Sequence, residues 1–525
     1  MSSVAQIIES GQTAIGIELG STRIKAVLID KQGNVLASGG FDWENSFENR
    51  IWTYPLELVW KGLAEAYGSL AADVQSKYGV ALATTGAIGV SAMMHGYLVF
   101  DSEGNQLVPF RTWRNAMTED AASRLTDLFS FNIPQRWSAA HLAHAIMGGE
   151  PHVAQIAHMT TLAGLVHWRL TGRKVLGVGD ASGMFPIDPA TGTFDAAMLD
   201  AFDAEFSAAF PWKIRDILPE VLPAGAEAGA LTEEGARLLD PSGTLAAGIP
   251  LAPPEGDAGT GMVATNAVQP GTGNTSAGTS IFTMVVMERP LKDVHVEIDV
   301  VNTPAGHPVA MVHCNNGASE VNAWAGVFSE FAKALGAEAD TGAVFKALFE
   351  SSLAAEPDCG GLLSYNYLSG EVLTGLSEGR PLVLRTPDSH LNLANFMRSQ
   401  IYAIYGTLAI GMRILEAEDI ELTSMLAHGG LFKTKGVAQA ALAAALNSPV
   451  AVSQTAGEGG AWGMAVLAAY LGDERTLSDY LDQAIFAGAE IDVVEPDPKL
   501  VEGFARYLKA YERALPVMRA AVAYS

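Results

Sequence analysis

Ile15, Ile17 and Leu19 alternate with small or polar residues across Thr13 to Leu19, a period of two that predicts a strand. Gly20-Ser21-Thr22 breaks it, and Ile24 to Ile29 forms a second apolar run. Asp30-Lys31-Gln32-Gly33-Asn34 is turn chemistry, after which Val35 to Ala37 resumes strand character. The opening therefore reads as a β-meander with a tight, polar first turn. From Pro55 the period changes. Leu56, Val59, Trp60, Leu63, Tyr67 and Leu70 recur at three and four, the face of an amphipathic helix. Ala87 to Ser91 is a short buried strand closed by Met93-Met94-His95-Gly96, and Tyr97 to Asp101 runs into the turn Ser102-Glu103-Gly104-Asn105. Helical spacing covers Thr118 to Leu128, Ala139 to Ile146 and Met159 to Leu170, with Gly172 as a stop. Within the Ala-, Gly- and Pro-rich stretch from Leu222 to Gly256, Thr232-Glu233-Glu234 starts another helix.

A second strand–turn–strand follows. Gly271-Thr272-Gly273-Asn274 reads as a glycine-rich turn, then come Thr275 to Thr279 and a β-like run from Ser280 to Met287. After about Leu391 the chain reads as mostly helical, interrupted by His428-Gly429-Gly430. Two halves that open alike suggest a duplicated fold with a cleft between lobes and a boundary near Gly256. The expected domains are residues 1–254 and 255–525. No short solenoid period is visible.

Composition narrows the function. A chain of 525 residues is long enough for two or three domains. Its formal net charge is −26, which repels phosphate backbones and anionic lipid, so neither nucleic acid nor a membrane is expected as a partner. A local basic pocket for a nucleotide is still allowed. Cys314 and Cys359 are the only cysteines, so a disulfide framework is excluded and a reducing cytoplasm is the expected location. No apolar run reaches the roughly 18–20 residues of a membrane span. Met1 to Gln12 lacks a basic head followed by an apolar stretch, so no signal peptide is expected.

Five segments have candidate chemistry. In Glu18-Leu19-Gly20-Ser21-Thr22-Arg23-Ile24-Lys25 a strand ends in a turn whose N–H groups and hydroxyls can converge on phosphate oxygens. Ser276-Ala277-Gly278-Thr279-Ser280 has the same logic, and two such loops could grip one polyphosphate. A plain turn is the competing reading of each. Asp257, among the glycines of Gly256-Asp257-Ala258-Gly259-Thr260-Gly261, can take a proton from a substrate hydroxyl while its oxygen attacks phosphorus. An Asx turn capping the next helix is the alternative. Met94-His95-Gly96 with Trp113-Arg114-Asn115 offers hydrogen bonds and a ring to a sugar, against the reading of a structural histidine and buried tryptophans, including Trp137 and Trp168. His428-Gly429-Gly430-Leu431-Phe432-Lys433-Thr434 and Glu458-Gly459-Gly460-Ala461-Trp462-Gly463-Met464-Ala465 allow close backbone approach to a flat ring, or tight helix packing. No Walker loop, zinc-type histidine pair, Cys-x-x-Cys or Gly-x-Ser-x-Gly elbow occurs.

In order and approximate spacing these segments resemble the FGGY carbohydrate kinases, and among them the xylulokinase-like members. Tyr54-Pro55-Leu56-Glu57 before Trp60, Leu170-Thr171-Gly172 before Asp180-Ala181-Ser182-Gly183, and Tyr367-Leu368-Ser369-Gly370-Glu371 resemble connecting motifs of that family. The resemblance implies an α/β, two-lobed ribonuclease-H/actin-like ATPase fold with an interdomain cleft. It implies transfer of the γ-phosphoryl group of ATP, with Mg2+, to a sugar hydroxyl. Asp257 matches the family's general base. Ser21, Thr22 and Lys25 match the first phosphate loop, Gly278 and Thr279 the second, and Gly317 a further nucleotide contact. Gly429, Gly430, Leu431 and Thr434 fall on the adenosine motif. Met94, His95, Trp113, Arg114 and Trp137 fall on sugar contacts, and Glu18 on the metal position. Dimerisation is a family-level expectation.

The departures bear on substrate. Glu18 stands where the family has Asp, so its carboxylate reaches one methylene further. Trp113-Arg114-Asn115 replaces Trp-Asn-Asp, which removes an acid and adds a cation. D-xylulose or another ketopentose is the expected acceptor. L-ribulose, another ketose or polyol, and a catalytically weak actin-like sugar sensor are the alternatives.

Overall fold

The computed structural model describes residues 3–337, 340–453 and 459–524. The chain forms two compact units. The first takes residues 1–269, 300–309 and 455–489, and the second takes 270–299, 310–454 and 490–525. The sequence reading divides the chain once, at 254/255; in the structure two later stretches return to the first unit.

In the first unit, β1 (Thr13–Leu19), β2 (Arg23–Asp30), β3 (Val35–Asp42), β4 (Ala87–Ala92) and β5 (Glu255–Gly256) form one sheet in the order β5-β4-β1-β2-β3. The first three strands are antiparallel neighbours because short turns join them. In the second turn Asp30 Oδ1 accepts from the N–H groups of Gln32 and Asn34, each at 2.9 Å, and Gly33 supplies the left-handed φ of 80°. β4 is parallel to β1, which requires a crossover. The helix Leu56–Tyr78 provides it and buries Val59, Leu63, Ala66, Tyr67, Leu70 and Val74. Each fully buried side chain of this kind contributes roughly 1.5–3 kcal/mol. The predicted three-and-four spacing is this face. On β1 and β4, Gly16 and Gly89 have no side chain because the helix Gly459–Ala469 lies on them. A Cβ on Gly16 would overlap Ala461 O and Ala465 N.

In a second sheet, supplied mostly by the second unit, β6 (Thr272–Ala277), β7 (Ile281–Val286), β8 (Ile298–Asn302), β9 (Pro308–Cys314), β10 (Ser424–His428), β11 (Val450–Ser453) and β12 (Ile491–Val494) are ordered β8-β9-β7-β6-β10-β11-β12; residues 300–302 of β8 and 308–309 of β9 belong to the stretch counted with the first unit. The predicted turn at Gly271–Asn274 is mostly strand. Gly273 pairs with Val285 and Asn274 with Met284, and only Gly271 has a left-handed φ. The region after Leu391 is mostly helical as expected, beginning with the long helix Leu393–Ala417, but it also holds three strands of this sheet. β3-β2-β1-β4-β5 and, with the outermost strand β8 set aside, β9-β7-β6-β10-β11 share one topology: third, second, first, fourth, fifth. Both open with a hairpin across a three-residue turn, 20–22 and 278–280. This repeated order is the ribonuclease-H/actin-like class that the sequence implies. Among the described residues no helix is long and apolar enough to cross a membrane.

Candidate functional site

In the first unit, β5 pairs with the end of β4, Glu255 with Ser91 and Gly256 with Ala92, and delivers Asp257 to the start of the helix Asp257–Ala264. Asp257 Oδ1 accepts from the N–H of Ala258 at 3.0 Å and from that of Met94 at 3.4 Å. Gly256 is glycine because a Cβ there would overlap the Met94 side chain. Burial pushes the Asp257 carboxyl up to about 7, and the neighbouring Glu18 carboxylate adds to the rise.

Glu18, the penultimate residue of β1, is opposite Lys25 of β2. Its Oε2 accepts from Ala461 N–H at 3.1 Å. Burial raises its pKa, and the Lys25 charge opposes that rise. Among the described residues no three His, Cys, Asp or Glu side chains gather as a ligand set.

Two further carboxylates stand behind Asp257. Asp180 is fully buried. Its Oδ2 accepts from Thr161 Oγ1 at 2.6 Å, while its Oδ1 has no hydrogen-bond partner. Glu255, 1% exposed, accepts from the N–H of Asp180 at 2.9 Å and from that of Gly179 at 3.4 Å. Burial pushes Asp180 up to about 7 and Glu255 to about 8, and their mutual repulsion lifts Glu255 further. The residue-by-residue reading missed both. The available signals were the Asp-Ala-Ser-Gly stretch at 180–183 and the acid directly before Gly256-Asp257.

Met94, His95 and Trp137 come together beside these carboxylates. A Cβ on Gly183 would lie 2.6 Å from His95 Nδ1 and 2.9 Å from Met94 Cε. His95 Nδ1 lies 3.0 Å from Gly183 O, so that nitrogen carries the proton and donates it. Burial drives the imidazole down to about 3, which keeps it neutral. Trp137 is fully buried, stacks on His95 at 6.1 Å, and has an Nε1 without a partner. Trp113 is 41% exposed, on the turn that follows Arg111. Asn115 is buried and committed to backbone: its Oδ1 accepts from Trp52 N–H, and its Nδ2 donates to Trp52 O and Thr112 O, all at 2.9 Å. Arg114 is exposed, with its guanidinium carbon 4.2 Å from the Trp52 ring.

The first turn is tied down from behind. Trp43 Nε1 donates to Gly20 O at 2.7 Å, Trp43 N–H to Thr22 O at 3.1 Å, and Tyr54 OH to Ser21 O at 2.6 Å. With its carbonyls held this way, the turn keeps Ser21 half-buried and Thr22 exposed, and Lys25 follows on β2.

The second unit gathers the other predicted nucleotide residues. Gly317 N–H donates to Thr279 O and Ala318 N–H to Gly278 O, both at 2.8 Å. A Cβ on Gly317 would overlap Gly278 O, and one on Gly429, whose φ is 116°, would overlap Ala277 O. Gly430 and the buried Leu431 lie in the turn Gly430–Lys433, which ends at Thr434. A buried amide network stands behind Gly317. Asn366 Nδ2 donates to Asn316 O and Gly317 O, both at 2.9 Å, and Asn316 Nδ2 donates to Glu371 Oε2 at 3.1 Å. Of the glycine-rich 458–465 segment, Glu458 lies outside the described residues. The rest belongs to the helix Gly459–Ala469, packed in the first unit against Glu18 and Thr260.

Comparison with known proteins agrees in both halves. The N-terminal domain of the FGGY family of carbohydrate kinases matches residues 13–263, and its C-terminal domain matches residues 273–472. "Xylulose kinase" of Escherichia coli (strain K12) is 25% identical over 288 residues, 52% of this chain and 54% of that protein. The match thus spans about half the length of that curated relative. The crystal structure of xylulose kinase from Rhodospirillum rubrum superposes with a TM-score of 0.78 at 18% identity, covering 97% of this chain and 99% of that one. Gluconate kinase from Lactobacillus acidophilus gives 0.78 at 18% identity, covering 98% and 99%. At such identity the likeness is one of fold.

Proposed function

Because the chain belongs to the FGGY family of carbohydrate kinases, we propose that it transfers the γ-phosphoryl group of ATP to a hydroxyl of a small sugar, with Asp257 as general base. The observation that carries this reading is the setting of Asp257. Two backbone N–H groups orient one carboxylate oxygen, and the other remains for the acceptor hydroxyl. A carboxyl pushed up to about 7 is matched to taking a proton near neutral pH. As Asp257 takes the hydroxyl proton, the acceptor oxygen bonds to the γ-phosphorus. The bond between phosphorus and the β–γ bridging oxygen breaks, and its electron pair leaves with ADP.

Ser21, Thr22 and Lys25 are the reading's contacts to phosphate oxygens from the first turn, and Gly278, Thr279 and Gly317 those from the second unit. Gly429, Gly430, Leu431 and Thr434 hold the adenosine. Met94, His95 and Trp137 line the sugar side with a thioether, a neutral imidazole donor and an indole. The metal expected with ATP is Mg2+, which needs few protein carboxylates because substrate phosphates and water fill the rest of its shell. Glu18 fits as its hard oxygen donor, being a buried carboxylate whose raised pKa reflects charge that is not fully compensated. When bound, the ion neutralises phosphate charge. A ketopentose such as D-xylulose is the proposed acceptor, supported by the Met94-His95-Gly96 motif and by the xylulose kinase relatives. The committed Asn115 leaves other ketoses and polyols within reach of this reading, and a cytoplasmic location and a homodimer accompany it.

The test is ADP release with Mg-ATP across pentuloses, hexuloses and polyols, beside Asp257→Asn. One acceptor stimulates turnover, and the variant loses at least about 100-fold in kcat while still binding ATP. Turnover independent of any sugar, or a fully active variant, overturns the proposal in favour of an ATPase or a sugar sensor.

A further inference from the structure

Arg114 is a prepared cation with nothing of opposite charge to meet. Its guanidinium stacks 4.2 Å over the Trp52 ring, and its Nη1 donates to Asn45 Oδ1 at 3.2 Å. Those two contacts fix the plane of the group. Among the described residues no carboxylate pairs with it, in a chain that has 58 acids and a net charge of −26. The edge formed by Nε and Nη2 is left with no acceptor.

Its backbone is fixed just as firmly. The next residue, Asn115, is buried and bonded to both the N–H and the C=O of Trp52, and Thr112 N–H also donates to Trp52 O at 3.2 Å. Its place in the unit is defined from two sides. Tyr54 donates to Ser21 O in the first turn, and the Arg114 charge and the Asn45 side chain both lower the otherwise raised Tyr54 pKa. Along the chain, Arg111 exchanges backbone hydrogen bonds with Tyr97, two residues beyond His95. Arg114 therefore stands between the first turn and the Met94-His95 strand end.

A neutral sugar draws no particular benefit from an unpaired guanidinium, since hydroxyls are served as well by amides and neutral donors. A carboxylate draws much. The planar fork matches its two oxygens with two parallel charge-assisted bonds, and stacking on an indole has already fixed the fork's orientation. A chain of net charge −26 also needs a local cation to hold an anionic acceptor at all.

We propose that Arg114 selects an acceptor bearing a carboxylate, a sugar acid of aldonate or ketoaldonate type, whose acid group docks on the free guanidinium edge while a hydroxyl faces Asp257. This rests on the kinase reading above and changes its acceptor class from neutral ketose to acid.

The test uses the full chain with Mg-ATP and matched pairs of acceptors of the same length, each neutral ketose or polyol beside its carboxylate counterpart, with one sugar phosphate included. Wild type, Arg114→Gln and Arg114→Lys are compared for ADP release, and for the shift in melting temperature that each acceptor causes without ATP. The expected result is that an acid has the highest kcat/KM. Arg114→Gln raises the KM for that acid at least tenfold, with KM for ATP within twofold, and Arg114→Lys recovers part of the loss. A neutral acceptor that is best and indifferent to Arg114→Gln overturns the proposal. So does a rise in KM for ATP alone, which places Arg114 on the nucleotide phosphates, and so does a sugar phosphate as the best acceptor. If no acceptor is phosphorylated, the melting shifts separate the two ideas. Stabilisation by an acid that is lost in Arg114→Gln keeps the acid site and removes the kinase reading, whereas no acid-dependent shift removes both.

Discussion

Replacing Asn366 by Ala is expected to weaken ATP binding without touching any atom of the nucleotide. Asn366 is 2% exposed, and its Nδ2 alone satisfies the carbonyls of Asn316 and Gly317. Gly317 and Ala318 in turn hold Thr279 and Gly278 by backbone hydrogen bonds. Leaving a buried carbonyl unsatisfied costs about 1–3 kcal/mol, so two of them cost about 2–6 kcal/mol if the loop keeps its place. The loop has an easier course: it loosens until water reaches the carbonyls, at the lower end of that range. About 2 kcal/mol of lost order, recovered only when ATP binds, corresponds to about 30-fold in ATP affinity. Calorimetric titration with ATP or a non-hydrolysed analogue measures this directly, and steady-state kinetics should place the effect in KM for ATP while KM for the acceptor stays within about twofold. An Asn366→Ala protein that binds ATP like the wild type, whatever its melting temperature, refutes the chain of support from Asn366 through Gly317 to Thr279. Equal rises in both KM values refute it as well, since they indicate a general loss of structure.

Two further outcomes concern stability. Asp180 and Glu255 have folded-state pKa values raised to about 7 and about 8, so the folded chain binds more protons than the unfolded one over that range. Their contribution is full below the ordinary carboxylate range and is lost as pH rises through those values. Melting temperature should fall between about pH 4 and 8 on this account, and Asp180→Asn should flatten the fall; an unchanged slope counts against these carboxyls as its source. Gly16→Ala forces a Cβ into Ala461 O and Ala465 N, backbone atoms that cannot swing away. A loss of about 3 kcal/mol or more, read by calorimetric or denaturant unfolding, is expected, and a variant as stable as the wild type contradicts the packing described.

Where a signal was local, the sequence was informative. The alternation over Thr13–Leu19 and the three-and-four spacing from Leu56 are direct images of one buried face; the strand has the bounds read for it, and the helix starts at Leu56 but continues past Leu70 to Tyr78. Gly172 stops its helix with a φ of 78°, and Thr232 caps the next helix as its pattern predicts. Long-range features were much less visible. β10, β11 and β12 are short strands between strong helical patterns, and nothing in four or five residues says which sheet they join. Gly271–Asn274 reads as turn chemistry because it holds two glycines, yet Gly273 is glycine for lack of room beside Met284 O, not for its dihedral angles. At the site, motif residues that touch a turn or a neighbouring strand end could be placed together on paper. Asp180 and Glu255 are 75 positions apart and meet only through the fold, so their coupling left no local trace. Asn115 carries the opposite lesson. It sits in a motif associated with substrate, and its side chain is committed to the backbone of Trp52.

The glycine at position 16 has a consequence for the order in which the chain is made. The groove it leaves on the first sheet is filled by a helix whose Ala461 bonds to Glu18 across 443 positions. At roughly 5–20 residues per second of synthesis, the strands that emerge first wait on the order of 20–90 seconds for that cover. During that interval the face of β1 and β4 that carries Gly16 and Gly89 has no partner, while every strand of the second sheet except β12 is being translated. The nascent chain must therefore hold an open apolar surface through the making of a second domain. Residues 459–469 close that surface last, so a ribosome stalled before this segment leaves a first unit that cannot finish folding, whatever the quality of its own sequence.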